Sequence, residues 1–283
     1  MMYETDTNGI PLDLRLTLME SGQCFAWRYD VDSGRYGAVV SGCPVWLRSE
    51  GARLTVEGEA DEAALRRYLA LDEDYGSLLR EDETLAAAME LLPGLRLLRQ
   101  EPWDVLVMFL LSQNNNLRRI KRLCDGVSER YGRSFDTPFG PLYAIPAPEA
   151  LAFLEPRALR ELGAGYRAEY LVGTARRVCE GFPLESLGSM PYAEAHALLL
   201  RLPGVGDKVA DCVQLFGCGC DEAFPVDVWV ERLLRGWYGM EAASRAELAE
   251  KARRRFGPGA GIAQQFLFHA ARTGLIKDRP TEG

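Results

Sequence analysis

Residues Ala195–Gly217 read AHALLLRLPGVGDKVADCVQLFG, and this stretch decides the fold. An apolar helix runs into Leu202-Pro203-Gly204-Val205-Gly206, and a second helix starts at once. Pro203 stops the first helix, because proline has no N–H and its ring clashes with the preceding turn. Gly204 and Gly206 permit positive φ and bring bare backbone N–H groups against a helix N-terminus. Such a turn is a ready anion site, and a DNA phosphate can rest on those amides without any lysine. A plain connector between antiparallel helices uses the same residues, so the surrounding chain has to decide between the two.

Outward from the hairpin, apolar positions recur at helical spacing over 104–113, 116–131, 148–154, 156–162, 166–180, 192–201, 207–217, 227–238, 244–255 and 260–272. Glycines and prolines such as Gly132, Pro146, Gly163 and Pro225 mark the ends. The first quarter differs. Residues 13–56 hold the runs LRLTLMESG, CFAWRYDVDSG, RYGAVVSG and PVWLRSEGARLTVEG, punctuated by Gly, Asp and Ser in the manner of an antiparallel meander. From Asp61 the spacing turns helical. The expected fold class is α+β: an N-terminal antiparallel β-sheet domain with flanking helices over 1–92, then a mostly α-helical region over 93–283 in two subdomains, with the hairpin at 202–206.

Composition bounds the rest. The chain has 283 residues, ordinary apolar and charged fractions and a net charge of −8, so disordered and fibrous classes are excluded. No signal sequence or membrane-length apolar run is found, which predicts a cytosolic protein with no membrane partner. Seven cysteines, an odd and scattered number, suit reduced thiols. Cys218 and Cys220 lack a second Cys or His pair at ligand spacing, so no metal is expected. The acidity argues mildly against nucleic acid, and local basic clusters (Arg118, Arg119, Lys121 and Arg122; Arg176 and Arg177; Lys251 and Arg253 to Arg255) permit it without requiring it.

Lys208 stands in the first turn of the second hairpin helix, and nineteen residues later Phe224-Pro225-Val226-Asp227-Val228-Trp229 puts Asp227 at another helix start. Each has a simpler role open to it: Asp227 as a helix N-cap, Lys208 as a solvated phosphate contact. The hairpin, the lysine and the Pro-Val-Asp together resemble the helix-hairpin-helix DNA glycosylase superfamily. In that chemistry a lysine must lose its proton to attack the sugar C1′, and an unperturbed ammonium titrates at about 10.4. A helix N-terminus and a closed pocket both favour the neutral amine, and a carboxylate nearby stabilises the cationic sugar. No cysteine follows Asp227, which sets the chain apart from iron–sulfur members, and Lys208 sets it apart from the alkyladenine branch.

Four more segments are similar to the 8-oxoguanine DNA glycosylase family: Ser21–Trp27, Ser112–Asn116, Leu162–Ala168 and Ala263–Phe268. The resemblance implies a bifunctional glycosylase and abasic-site lyase acting as a monomer on duplex DNA with 8-oxoguanine opposite cytosine. It implies that Phe268 and Cys212 sandwich the everted base, that Gln264 bonds its Watson–Crick edge, and that the Gly22 carbonyl accepts the N7 hydrogen that guanine lacks. On the other strand it implies that Asn114, Arg119 and Arg167 bond the orphaned cytosine and Tyr166 wedges the stack, with Gly204, Val205 and Gly206 on phosphate. Core packing for Phe268 and Cys212, an ordinary turn for Gly22, a surface amide for Gln264 and an N-cap for Asn114 are the competing accounts. No cofactor is implied, beyond a monovalent cation that hairpin carbonyls could hold. Trp229 stands where eukaryotic members have histidine and Ala271 where they have an acid; both departures bear on partner-base preference. His196 and His269 are assigned to structure.

Overall fold

The computed structural model describes residues 2–76 and 82–275. Strands β1 (Met2–Asp6), β2 (Arg28–Asp30), β3 (Arg35–Val40), β4 (Cys43–Glu50) and β5 (Arg53–Gly58) form one antiparallel sheet in the order β1-β5-β4-β3-β2. The β3–β4 turn is Ser41-Gly42, both with positive φ, the two-residue geometry whose twist matches the flanking strands. Val45, Leu47, Leu54 and Val56 point inward from β4 and β5 and are fully buried.

The meander differs from expectation at its start. LRLTLMESG is a π-helical turn over Leu16–Glu20, not a strand. Asp13 nucleates it, its carboxylate accepting from Leu16 N at 2.9 Å and its carbonyl from Thr17 N at 2.9 Å, a local capping bond that competes with strand pairing. The outer sheet position goes instead to Met2–Asp6, a mostly polar edge strand paired with β5.

Twelve α-helices follow among the described residues. The N-terminal pair is α1 (Glu62–Tyr68) and α2 (Glu83–Leu91); the helical region holds α3 (Pro102–Ser112), α4 (Leu117–Tyr131), α5 (Pro148–Ala152), α6 (Pro156–Glu161), α7 (Arg167–Cys179), α8 (Tyr192–Leu199), α9 (Asp207–Phe216), α10 (Val228–Tyr238), α11 (Arg245–Phe256) and α12 (Ala260–Thr273). Each expected helix is present, its ends shifted by a few residues. A small hairpin, β6 (Ser134–Phe135) with β7 (Leu142–Tyr143), lies between α4 and α5. The sheet is moored beside it: the Trp46 indole donates to Thr137 Oγ1 at 2.8 Å, and Arg28 donates to the Pro141 carbonyl at 2.7 Å.

Helix α3 is apolar on every side, with Val105 to Met108, Leu110 and Leu111 wholly inaccessible. A helix hydrophobic all round belongs at the centre of a core, and α4, α7 and α9 pack around it. All seven cysteines are free. No helix among the described residues is long and apolar enough to cross a membrane.

Asp104, in the first turn of α3, has its carboxyl pushed up to about 7, by burial first and by Glu101 second. A carboxyl raised in the folded state binds a proton that the unfolded chain has already lost, so stability falls as pH rises from the ordinary carboxylate range through about 7. Asp104→Asn should therefore stabilise the protein in urea unfolding at pH 8 and leave it nearly unchanged at pH 4; equal effects at both would contradict the assignment.

Candidate active site

The hairpin is built as its sequence demands at Gly204, where φ is +76° and an added Cβ would sit 2.3 Å from Tyr170 Cγ. Only glycine fits there. Gly206 is different: its backbone is extended, it caps α9 without a side-chain bond, and nothing lies near an added Cβ. Val205 also departs from expectation, since its N–H donates to the Leu202 carbonyl at 3.1 Å and its side chain is buried. The exposed amide end of α9 therefore lies at Gly206 and beyond, not at Val205.

A cavity of about 880 Å³ opens beside this turn and is lined by Asn114, Tyr166, Gly206, Lys208, Asp227 and Trp229, among others. Five residues singled out in the sequence, all but Trp229 in that set, thus converge on one cleft from four separate segments. Lys208 is half-buried, its Nζ lying 4.4 Å from the ring centroid of Phe109, which itself stacks on Phe216 at 5.6 Å. Asp227 does cap α10, one carboxylate oxygen accepting from Trp229 N and Val230 N, both at 2.9 Å. The other oxygen is left for the cleft.

Asn114 is not the cap of α4; that role falls to Asn116, whose side chain accepts from Arg119 N at 3.0 Å. Asn114 instead takes positive φ (47°), exposed at the cleft edge. Arg119 is exposed and touches the Gly163 carbonyl at 3.3 Å. Tyr166 is exposed, edge-on to Tyr170. Arg167 faces inward: it is buried, donating to the carbonyls of Gln113 (2.7 Å), Asn114 (3.0 Å) and Ala164 (3.3 Å). Its guanidinium holds up the loop that presents Asn114.

The four expected base contacts do not line this cleft; Cys212 is the one that interacts with Lys208 and Asp227. Cys212 is buried within the fields of Lys208 and Asp227, its thiol pushed up to about 12 by burial. Gly22 has φ +76°, and an added Cβ would meet the Phe268 ring at 3.4 Å. Gln264 donates to the Pro225 carbonyl at 3.1 Å, and this fixes its amide so that Oε1 is buried with no partner. A buried acceptor without a donor is costly, on the order of 1–3 kcal/mol, which marks Oε1 as a group waiting for one.

Residues 107–258 match the HhH-GPD superfamily of base excision DNA repair proteins. The chain belongs to that superfamily. Residues 5–106 match the N-terminal domain of 8-oxoguanine DNA glycosylase. A probable N-glycosylase/DNA lyase of Methanothermobacter thermautotrophicus is 32% identical over 305 residues, spanning 96% of this chain and 97% of that protein. The N-glycosylase/DNA lyase of Saccharomyces cerevisiae is 32% identical over 80% of this chain and 68% of its own length. Among solved structures, the Clostridium acetobutylicum 8-oxoguanine glycosylase/lyase in complex with DNA containing cytosine opposite 8-oxoguanine superposes with a TM-score of 0.87 and 30% identity, covering 98% of this chain and 99% of that one.

Within this superfamily member the sequence reading missed several cleft groups. Tyr192, His196, Asp211 and Arg253 form one wall. Tyr192 donates to Asp211 at 2.7 Å, Arg253 donates to the Tyr192 hydroxyl at 2.9 Å, and His196 lies 3.7 Å from Asp211. Burial pushes the Asp211 carboxyl up to about 6. A signal existed, since Asp211 is a carboxylate on the apolar face of the helix that carries Lys208. Among the described residues no group of three His, Cys, Asp or Glu is placed to hold a metal ion. The hairpin carbonyls of Leu202, Pro203 and Gly204 each accept a protein hydrogen bond.

Gly204→Ala should cost on the order of 1–3 kcal/mol through backbone strain and weaken DNA binding. Gly206→Ala, in open extended backbone, should stay within about 1 kcal/mol of the parent. Thermal unfolding and fluorescence anisotropy with a labelled duplex would check both.

Proposed function

We propose that this chain excises 8-oxoguanine from duplex DNA, opposite cytosine, and then cleaves the abasic strand, with Lys208 as nucleophile and Asp227 as the electrostatic partner. The observation that carries the reading is the convergence of Lys208 and Asp227 on one cleft at the end of a hairpin that grips backbone. Lys208 Nζ attacks C1′ through its lone pair as the bond from C1′ to the base nitrogen breaks, the departing electron pair going to the base. Positive charge builds on the sugar, and the free Asp227 oxygen faces it. Ring opening gives a Schiff base between C1′ and Nζ, and loss of a C2′ proton expels the 3′ phosphate.

The everted base lies between Phe268 and Cys212, with Gln264 Oε1 accepting from its N1–H and amino edge. That edge supplies the donor which the buried oxygen lacks. The Gly22 carbonyl accepts the N7 hydrogen, and guanine, having a lone pair there, leaves the carbonyl unpaired. Across the duplex, Asn114 fills the vacated stack and Arg119 meets the cytosine, while Tyr166 wedges the neighbouring step. Arg167 serves by bracing the Asn114 loop. Gly204 shapes the turn and the α9 amides from Gly206 onward receive the phosphate. One chain suffices, since every group named comes from it.

Borohydride reduction during reaction with an 8-oxoguanine duplex should trap a covalent adduct with the parent protein and none with Lys208→Gln. Asp227→Asn keeps a good helix cap, so its thermal stability should hold while excision falls about 10²- to 10³-fold. An adduct with Lys208→Gln at parental yield would end the assignment of the nucleophile.

A further inference from the structure

The proposed reading of N7 rests on one backbone carbonyl, that of Gly22, pointing in a fixed direction. Among the described residues no donor bonds that carbonyl, and a glycine at φ +76° has no Cβ to hold its peptide in one orientation. Direction must come from the residues on either side.

On the side of the core, Gln23 locks the segment. Its Nε2 donates to the carbonyls of Thr17 (3.1 Å) and Arg96 (2.8 Å), and its Oε1 accepts from Leu98 N at 2.8 Å. On the opposite side, two residues of α12 hold the peptides just before Gly22. Gln265 Nε2 donates to the Ser21 carbonyl at 3.0 Å, both residues being buried. Arg272 Nη2 donates to the Glu20 carbonyl. The two stand seven positions apart, so they share one face of α12, the face that also carries Phe268 toward Gly22.

Arg272 is itself held. The same Nη2 lies 3.2 Å from His269 Nδ1, and its guanidinium lies 5.6 Å from the Phe268 ring centroid. Burial and the Arg272 charge push the His269 ring down to about 4, so at neutral pH its Nδ1 is free to accept that bond. His269, assigned to structure from the sequence, is thus the second anchor of the arginine.

We propose that Gln265 and Arg272 are positioning residues for base selection: by pinning the Ser21 and Glu20 carbonyls they fix the Gly22 carbonyl against the base. This rests on Gly22 being the N7 reader. Removing either clamp lets the Glu20-Ser21-Gly22 peptides rotate, so the carbonyl no longer meets the N7–H of 8-oxoguanine and no longer penalises guanine. Neither residue is needed once the base has gone.

The test is single-turnover cleavage by the full chain of three duplexes, holding 8-oxoguanine, guanine or a preformed abasic site opposite cytosine. Gln265→Ala and Arg272→Leu should each slow 8-oxoguanine excision about tenfold and narrow its ratio over guanine by at least that factor, while abasic-site cleavage stays within about twofold. Arg272→Lys, which restores a donor to the Glu20 carbonyl, should recover part of the ratio. Unchanged ratios in both variants would overturn the clamp, and so would an equal loss of abasic-site cleavage, the sign of general unfolding. If the parent protein cleaves abasic DNA but ignores 8-oxoguanine, the base assignment fails instead.

Discussion

Gln113, the residue that ends the central helix, ties together the two halves of the cleft. Its side-chain amide donates to the Gly204 carbonyl at 2.9 Å, and its own carbonyl receives the Arg167 guanidinium. One residue thereby joins the Gly204 hairpin to the loop that presents Asn114. The hairpin sets where α9 begins, and hence where Lys208 stands; the loop sets where Asn114 stands. Since both hang from the end of α3, whose apolar surface is buried on all sides, neither can drift without disturbing the core. Thr174 adds a second tie, its hydroxyl donating to the Pro203 carbonyl at 3.0 Å.

An acidic protein that binds a polyanion has to keep its few uncommitted cations in the right place. Half of the residues in the basic runs are paired internally: Lys121 with Asp125, Arg177 with Glu180, Lys251 with Glu247, Arg254 with Glu250 and Arg255 with Asp82. Exposed pairs of this kind contribute little to stability, roughly 0–1 kcal/mol each; their larger effect is to remove those charges from competition for phosphate. The amide end of α9 and the exposed guanidinium groups of Arg118, Arg119 and Arg122 remain as local attractors. Net charge is therefore a poor guide to partner here, because helix termini and single side chains act over distances shorter than the screening length of about 8–10 Å.

Helix content was legible because amphipathic spacing and Pro or Gly punctuation are local signals, and α3 to α12 needed nothing more. The N-terminal sheet was legible in its middle and not at its edges. LRLTLMESG carries a strand-like alternation, but Asp13 captures the amides of Leu16 and Thr17, and a single side-chain cap overrides a pattern of moderate strength. Met2–Asp6 became a strand only because β5 offered it an edge, a non-local fact. At the site, Lys208, Asp227, Asn114 and Tyr166 could be named from motif order. The inward turn of Arg167 could not, since whether a guanidinium reaches a solvent-facing base or a neighbouring carbonyl depends on which acceptors the fold leaves nearby.

The same reasoning explains why the selective part of the site is less visible in sequence than its reactive part. A nucleophile and a carboxylate are residue types with few substitutes, so chemistry leaves a mark in the letters. Selection of 8-oxoguanine over guanine turns on a lone proton at N7, which any backbone carbonyl can sense if it faces the right way. In the proposed reading, what keeps it facing that way is a set of amide and guanidinium contacts from a helix more than two hundred residues away, and those residue types are common everywhere on protein surfaces. Their meaning appears only when Ser21 and Glu20 are found beneath them.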